Sequence, residues 1–108
     1  VLSSDLERPE VIYYNVSEGG ICMPTISMFR GIKVSIYWQD HLPPHFHASY
    51  GGDEVIVSIE DLEPIEGTLP SKQLKMLLGW AAFHQDELRD NWLLAREKKE
   101  LFAIEPLR

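Results

Sequence analysis

The chain has 108 residues, which suffices for one hydrophobic core and is too short for two ordinary domains. Its one cysteine excludes an internal disulfide framework and a cysteine-rich zinc site, and it predicts a reducing, cytoplasmic location. Seventeen acidic against ten basic residues give a net charge of -7, which disfavours nucleic acid and anionic membranes as partners. No apolar run is long enough to span a bilayer, so no membrane association is predicted.

The first 22 residues are open to two interpretations. The first methionine is Met23, and codons for Glu18-Gly19-Gly20 can spell a ribosome-binding sequence upstream of it, which would make Met23 the natural start. Alternatively, residues 1–22 are a genuine N-terminal extension, in which the β-prone residues 11–16 add an edge strand. Under both interpretations, residues 23–108 are predicted to form a single α+β domain.

Residues 25–66 carry the pattern of an antiparallel β meander. Apolar and polar side chains alternate with a period of two over 32–38, which predicts a half-buried strand. Two consecutive prolines, Pro43 and Pro44, end that strand because they fix φ and remove backbone donors. Residues 45–50 form the next predicted strand, and a third alternating run follows a Gly-Gly-Asp hairpin turn. The stretch 61–67 is predicted to be a loop or an irregular strand end.

The remainder of the chain is predicted to be mostly helical. Pro70 opens a helical segment of about 71–96, whose apolar stripe packs on the sheet as one long helix or as two helices broken near His84. Residues 101–107 are predicted to be a short final strand that can pair with the sheet. The apolar stripe consists of Leu74, Leu77, Leu78, Ala81, Leu88, Trp92 and Ala95.

Together these elements predict the α+β class: an antiparallel meander of three or more strands packed against one long or two shorter C-terminal helices.

A second apolar line, formed by Met76, Phe83 and Leu94, lies opposite the core stripe on a continuous helix. We expect this ridge to be an interface in a homo-oligomer or in a complex with a small neighbouring-gene protein. The exception is a helix that breaks near His84 and turns Phe83 inward.

Histidines are the candidate chemical groups, since three of the four lie within seven positions. His45 and His47 are two apart on a strand and share a face, so their imidazoles can share a metal, a phosphate or a proton-transfer task. His41 precedes the two prolines, and Asp40 beside it can orient an imidazole. Tyr37 is expected to approach this cluster. The alternative interpretation is that these are exposed strand residues without a chemical role.

His84 is the fourth histidine, and it aligns on the helical wheel with Trp80 and Asn91. His84 is expected near the other three histidines. However, strict alternation places His45 and His47 on one face of the strand and Phe46 on the other, and the helix should pack on the Phe46 face. That conflict is removed if the strand bends at the prolines or if the helix end wraps the sheet edge. Alternatively, His84 is a structural residue at the border of the helix.

Over residues 23–107 the sequence resembles the bacterial domain of unknown function 4160 family, and the DH-x-PPHFHA string is the most specific part of that resemblance. The resemblance implies little about activity, but such genes often neighbour another uncharacterised family, numbered 2442, in pairs described as toxin–antitoxin modules. The matching residues are Met23-Pro24-Thr25-Ile26, Phe29, Gly31-Ile32, Tyr37, Asp40-His41, Pro43-Pro44-His45-Phe46-His47-Ala48, Tyr50-Gly51, Ile65, Gly67, Leu69-Pro70, Trp80, His84, Glu87-Leu88, Asn91-Trp92 and Ile104-Glu105-Pro106-Leu107.

Two function classes follow, and the sequence does not decide whether the protein is an enzyme. In the first, it is the toxin-like member of a two-gene module that acts on RNA or another phosphate substrate, with His45, His47 and His84 as catalytic candidates. In the second, it is a non-catalytic interaction or metal-binding module that uses the cluster of His41, His45 and His47. The acidic charge disfavours an RNase, and no cofactor is predicted apart from the metal ion of the second class. The binding candidates are Tyr37, Asp40, His41, Trp80 and Asn91.

Overall fold

A computed structural model describes residues 13–16, 22–38, 41 and 43–107. It has the predicted α+β class, with a six-stranded sheet in the order β1-β2-β3-β4-β5-β6 followed by two helices. Every strand pairs with its neighbours in antiparallel orientation. The elements are β1 (Tyr13–Val16), β2 (Cys22–Phe29), β3 (Ile32–Ser35), β4 (His45–Tyr50), β5 (Asp53–Ser58), β6 (Pro64–Gly67), α1 (Ser71–Phe83) and α2 (Gln85–Arg96).

The strands form where apolar and polar residues alternate, because a sheet with one buried face selects that period. In the centre of the sheet, Val34 lies opposite Ala48 and Phe46 lies opposite Val57, and all four are buried. The hairpin between β4 and β5 turns at Gly51, whose φ of 60° is the left-handed conformation that glycine adopts without strain. The pairing of β3, β4 and β5 therefore places these four buried side chains on one side of the sheet, which packs against the helices.

Three strands extend the meander beyond the three that alternation predicts. β2 lies between β1 and β3 and precedes the turn at residues 30–31. β1 occupies part of the β-prone segment 11–16 and pairs with β2 at one edge of the sheet. β6 occupies residues that the sequence analysis assigns to a loop or an irregular strand end, and an irregularity between Ile56 and Val57 interrupts its pairing with β5. Its four residues are all exposed, so no burial pattern marks it in the sequence.

The helical segment is two helices, and the break lies at His84 as the second of the predicted alternatives has it. The predicted stripe faces the core: five of its members are buried, while Leu74 and Leu78 are partly buried against the same core. Trp80, which the sequence analysis does not include in the stripe, is also fully buried. The buried stripe residues are Leu77, Ala81, Leu88, Trp92 and Ala95.

The predicted ridge of Met76, Phe83 and Leu94 is wrong as a continuous surface. Met76 and Leu94 are partly buried and pack against the core, and the break at His84 places them on separate helices. Phe83 does not turn inward at the break either, since it is 87% exposed. Phe83 is therefore a single exposed aromatic side chain at the junction of the helices.

Residues 101–107 have no regular secondary structure, so the predicted final strand is absent from this part of the chain. The segment nevertheless lies on β2, where a bulge between Thr25 and Ser27 interrupts the ladder at Ile26. The backbone N–H of Ile104 donates to the carbonyl of Ile26 (2.8 Å), and Ser27 Oγ donates to the carbonyl of Ile104 (3.0 Å). The carbonyl of Ile26 and the side chain of Ser27 thus hold the segment by two hydrogen bonds, in place of a β ladder.

Within the described residues, neither helix is long and apolar enough to cross a membrane.

Candidate functional site on the polar face of the sheet

The side of the sheet that faces away from the core carries a row of polar side chains across three strands. Lys33 of β3 lies opposite Ser49 of β4, and Ser49 lies opposite Glu54 of β5. In the neighbouring row, Ser35 lies opposite His47. Side chains at directly opposite positions of antiparallel strands have Cβ atoms about 5 Å apart, so these residues meet on one surface. We call this surface the polar face.

An open pocket of about 70 Å³ lies on the polar face. Its walls include a cation, a carboxylate, two serine hydroxyl groups and two rings, so it offers both donors and acceptors to a small polar group. It is too small for a whole drug-sized ligand, which ordinarily needs about 300 Å³ or more. The lining residues are Lys33, Ser35, Tyr37, His47, Ala48, Ser49 and Glu54.

Tyr37 and His47 form the aromatic wall of this pocket. Their ring centroids are 4.1 Å apart and their planes differ by 6°, which is a stacked arrangement. Both side chains are partly buried. Stacking fixes the plane of the imidazole, so the ring nitrogens of His47 are held in a defined orientation beside the pocket.

His45 lies behind His47, with their ring centroids 5.1 Å apart, and it is 3% exposed. Its Nδ1 is 2.7 Å from the carbonyl oxygen of Pro43, and the ring contacts Trp92 of α2. Because a carbonyl can only accept, Nδ1 carries the hydrogen, and Nε2 is the unprotonated nitrogen of the neutral ring. The proline corner therefore selects both the tautomer and the orientation of His45.

His41 completes the cluster on the side of the loop. Its ring centroid is 5.5 Å from that of His45, and the residue is exposed. The structure thus brings His41, His45, His47 and Tyr37 close together, and their roles as binding or catalytic residues stay a prediction. Asp40, which is predicted to orient an imidazole, lies outside the described residues.

His84 has a different environment. Its ring centroid is 5.3 Å from that of Trp80, and its Nδ1 lies 2.5 Å from Glu87 Oε1. Among the described residues it makes no ring contact with the other three histidines, so the expected four-histidine group is not formed by direct contact. His84 connects α1 and α2, and the Glu87 carboxylate holds its imidazole at the helix break. Its candidacy as a catalytic residue stays a prediction.

His45 and Phe46 are predicted to lie on opposite sides of β4, and the sequence analysis expects a helix only on the Phe46 side. The structure shows a helix contact for both residues. Trp80 of α1 contacts Phe46 on the core side, whereas Trp92 of α2 contacts His45 at the beginning of the strand. Different helices therefore contact adjacent strand residues. No residue pattern in β4 predicts this arrangement.

Trp80 and Asn91 are predicted binding residues, and the structure shows what their polar atoms contact. Trp80 Nε1 donates to the carbonyl of Glu105 (2.8 Å). Asn91 Nδ2 donates to the carbonyl of Phe102 (2.9 Å), and its Oδ1 accepts from the Phe102 N–H (3.0 Å). Both side chains therefore hold the segment 101–107, and a direct contact with a ligand stays a prediction for them.

The metal-binding alternative finds no arranged ligand set in the described part of the chain. No three His, Cys, Asp or Glu side chains among those residues are grouped so that they could hold a metal ion.

Two residues that line the pocket, Lys33 and Glu54, are absent from the sequence-based candidates. The Gly51 hairpin contains a signal for Glu54, because it places that residue opposite Ser49. The period of two assigns Lys33 to one face of β3, but only the register of β3 on β4 brings it to Ser49.

No curated protein and no solved structure matches this chain. A family model described as Domain of unknown function (DUF4160) matches residues 31–93. The matched region begins just before β3, includes the polar face and all four histidines, and ends within α2. Because the match covers more than half of the chain, the protein belongs to the DUF4160 family.

Proposed function

We propose that this protein is the toxin-like member of a bacterial two-gene module and that it acts on a phosphate-bearing substrate at the polar face. The two-gene context rests on the family resemblance. The observation that supports the chemistry is the pair of imidazoles, 5.1 Å apart, in which buried His45 has a selected tautomer and His47 stands at an open pocket.

Each residue has a distinct part in this proposal. Lys33 and His47 contact the phosphate, since an ammonium and an imidazole N–H donate hydrogen bonds to phosphate oxygens. His45 is a positioning residue, because its ring is buried against His47 and held by Pro43. Tyr37 keeps the His47 ring in plane by stacking.

The size of the pocket sets what it accepts. About 70 Å³ accommodates a group of the size of phosphate and leaves the remainder of the substrate outside, over Tyr37 and His47. Glu54 on the pocket wall repels an anion, which limits affinity for free phosphate. A substrate that also stacks on an aromatic ring gains binding energy that phosphate alone does not have.

Expression in bacteria tests the cellular part of the proposal. The wild-type gene alone should arrest growth, and the neighbouring gene should rescue it. His47→Gln should abolish the arrest, whereas Lys75→Gln, on the exposed side of α1, should not. Growth that is unaffected by the wild-type protein at confirmed soluble expression would contradict the toxin-like role.

Titration with inorganic phosphate, followed by NMR of the imidazole resonances, tests the site itself. We expect the His47 signals to shift and Lys33→Gln to weaken binding by about three- to tenfold, since a partly exposed charge contact contributes about 1 kcal/mol. Lys75→Gln serves as the control, because Lys75 is a lysine on the exposed side of α1. Equal weakening by both substitutions would show that phosphate binds through general charge and not at the pocket.

The second candidate is a non-catalytic interaction module, and the exposure of Phe83 is the observation that favours it. Phe83 is 87% exposed, so its ring is available for contact with the neighbouring-gene protein. Phe83→Glu should then abolish co-purification of the two proteins and leave phosphate binding unchanged. Co-purification that survives this substitution would remove the support for an interface at Phe83.

A further inference from the structure

The segment 101–107 lies in a groove formed by β2, α1 and α2. Trp80 and Asn91 bond to its backbone from the helices, and Ser27 and Ile26 do so from β2. All of these bonds reach backbone atoms of the segment. Its Leu101 and Ile104 side chains are buried, at 2% exposure each. Backbone bonds combined with two apolar anchors are how proteins bind extended peptides in general, so the groove accepts any copy of this segment.

The connection between α2 and the segment is strained. Lys98 has a φ of 58°, which L residues disfavour. It is the left-handed residue of a helix C-terminal motif, in which the N–H of Lys99 donates to the carbonyl of Leu94 (2.9 Å) and the N–H of Lys98 to that of Ala95 (3.1 Å). Glycine usually occupies this position, because it has no Cβ.

The same residues favour a continued helix. The connecting sequence 97–100 reads Glu-Lys-Lys-Glu and contains neither glycine nor proline, and all four residues are exposed. Glutamate and lysine are good helix formers, so local propensity supports a longer α2. A continued helix returns Lys98 to a negative φ and carries the segment away from its own groove.

We propose that α2 extends through residues 97–100 and that the segment 101–107 then occupies the groove of a second copy of this chain, in a reciprocally exchanged dimer. A straightened helix exposes Leu101 and Ile104 and leaves the buried amide of Asn91 without its backbone partner. A second copy supplies the identical segment and restores every one of these contacts. Short connections under strain are the usual origin of such exchange.

The dimerisation constant of the full chain tests this proposal, measured by analytical ultracentrifugation over micromolar to millimolar protein. Wild-type protein should show a concentration-dependent dimer. Lys98→Gly should weaken dimerisation at least about tenfold, because glycine removes the strain of the closed form in both copies and disfavours the extended helix. Lys98→Ala is the matched control: it removes the same side chain, keeps the strain and should change the constant by less than about threefold.

A mixing experiment tests the exchange directly. Full-length Ile104→Asp lacks a competent segment and full-length Asn91→Ala lacks a competent groove, so each alone should be monomeric. Refolding them together should produce a heterodimer by native mass spectrometry, because one intact groove meets one intact segment. A wild-type protein that is monomeric at every concentration, a dimer unchanged by Lys98→Gly, or a mixture without heterodimer would each overturn the proposal. Lys98→Gly carries the decision if a mixing variant fails to fold.

Discussion

Substitution of Asn91 by alanine should destabilise the fold strongly, because Asn91 is completely buried and its amide makes two hydrogen bonds to the backbone of Phe102. Each of these bonds contributes about 1 kcal/mol. The Phe102 N–H and carbonyl, which lie in a partly buried place, then lose this partner, which adds about 1–2 kcal/mol where water does not fully replace the side chain. We therefore expect the free energy of unfolding to fall by about 2–4 kcal/mol.

Thermal and urea denaturation, followed by circular dichroism, measure this change. For a domain of this size, about 1 kcal/mol corresponds to about 4–8 °C, so the expected decrease in Tm is about 10–25 °C. Asp90→Ala is the matched control, since Asp90 is the preceding residue of α2 and is exposed. It should change the free energy of unfolding by no more than about 0.5 kcal/mol.

Hydrogen exchange of the segment 101–107 locates the effect. In Asn91→Ala the amide of Phe102 should exchange faster than in the wild type, whereas the amides in the centre of β4 should lose protection only to the extent of the global destabilisation. An Asn91→Ala protein with unchanged Tm and an unchanged Phe102 exchange rate would refute the reasoning, because the two hydrogen bonds would then contribute nothing.

Three further predictions concern the pocket, the glycines and the helix junction. Glu54→Gln should strengthen phosphate binding about two- to fivefold in an NMR titration, because it removes a negative charge from the pocket wall; unchanged affinity would place phosphate elsewhere. Gly79→Ala should raise the free energy of unfolding by about 0.5–1 kcal/mol, since Gly79 is helical and a Cβ there meets nothing within 4 Å. Gly67→Ala should lower it by more than about 1 kcal/mol, because φ is +75° and the new Cβ would lie 2.2 Å from the Glu54 carbonyl oxygen; equal effects of the two substitutions in urea denaturation would contradict this account. Phe83→Glu should leave Tm unchanged to within about 2–4 °C, because Phe83 is 87% exposed; a large decrease would show that Phe83 supports the core.

The sequence by itself was sufficient for the features that depend on near neighbours along the chain. The period of two in β3, β4 and β5 follows from a sheet with one buried side, and the hairpin at Gly51 follows from the conformational freedom of glycine. The helical stripe likewise determined which side of 71–96 faces the core. The two-residue spacing of His45 and His47 was enough to place both rings on one side of β4.

The tertiary structure decided the features that join distant parts of the chain. The Asn91–Phe102 bonds and the replacement of a final strand by a segment on the β2 bulge require packing of three elements at once. The break at His84 separates that histidine's contacts from those of the cluster and leaves Phe83 exposed, although the apolar periodicity continues across it. Periodicity records which residues of one element share a face, whereas the position of each element on the others depends on the free energy of the whole fold. That is why His47 could be named from the sequence, while its pocket with Lys33 and Glu54 needed the register of three strands.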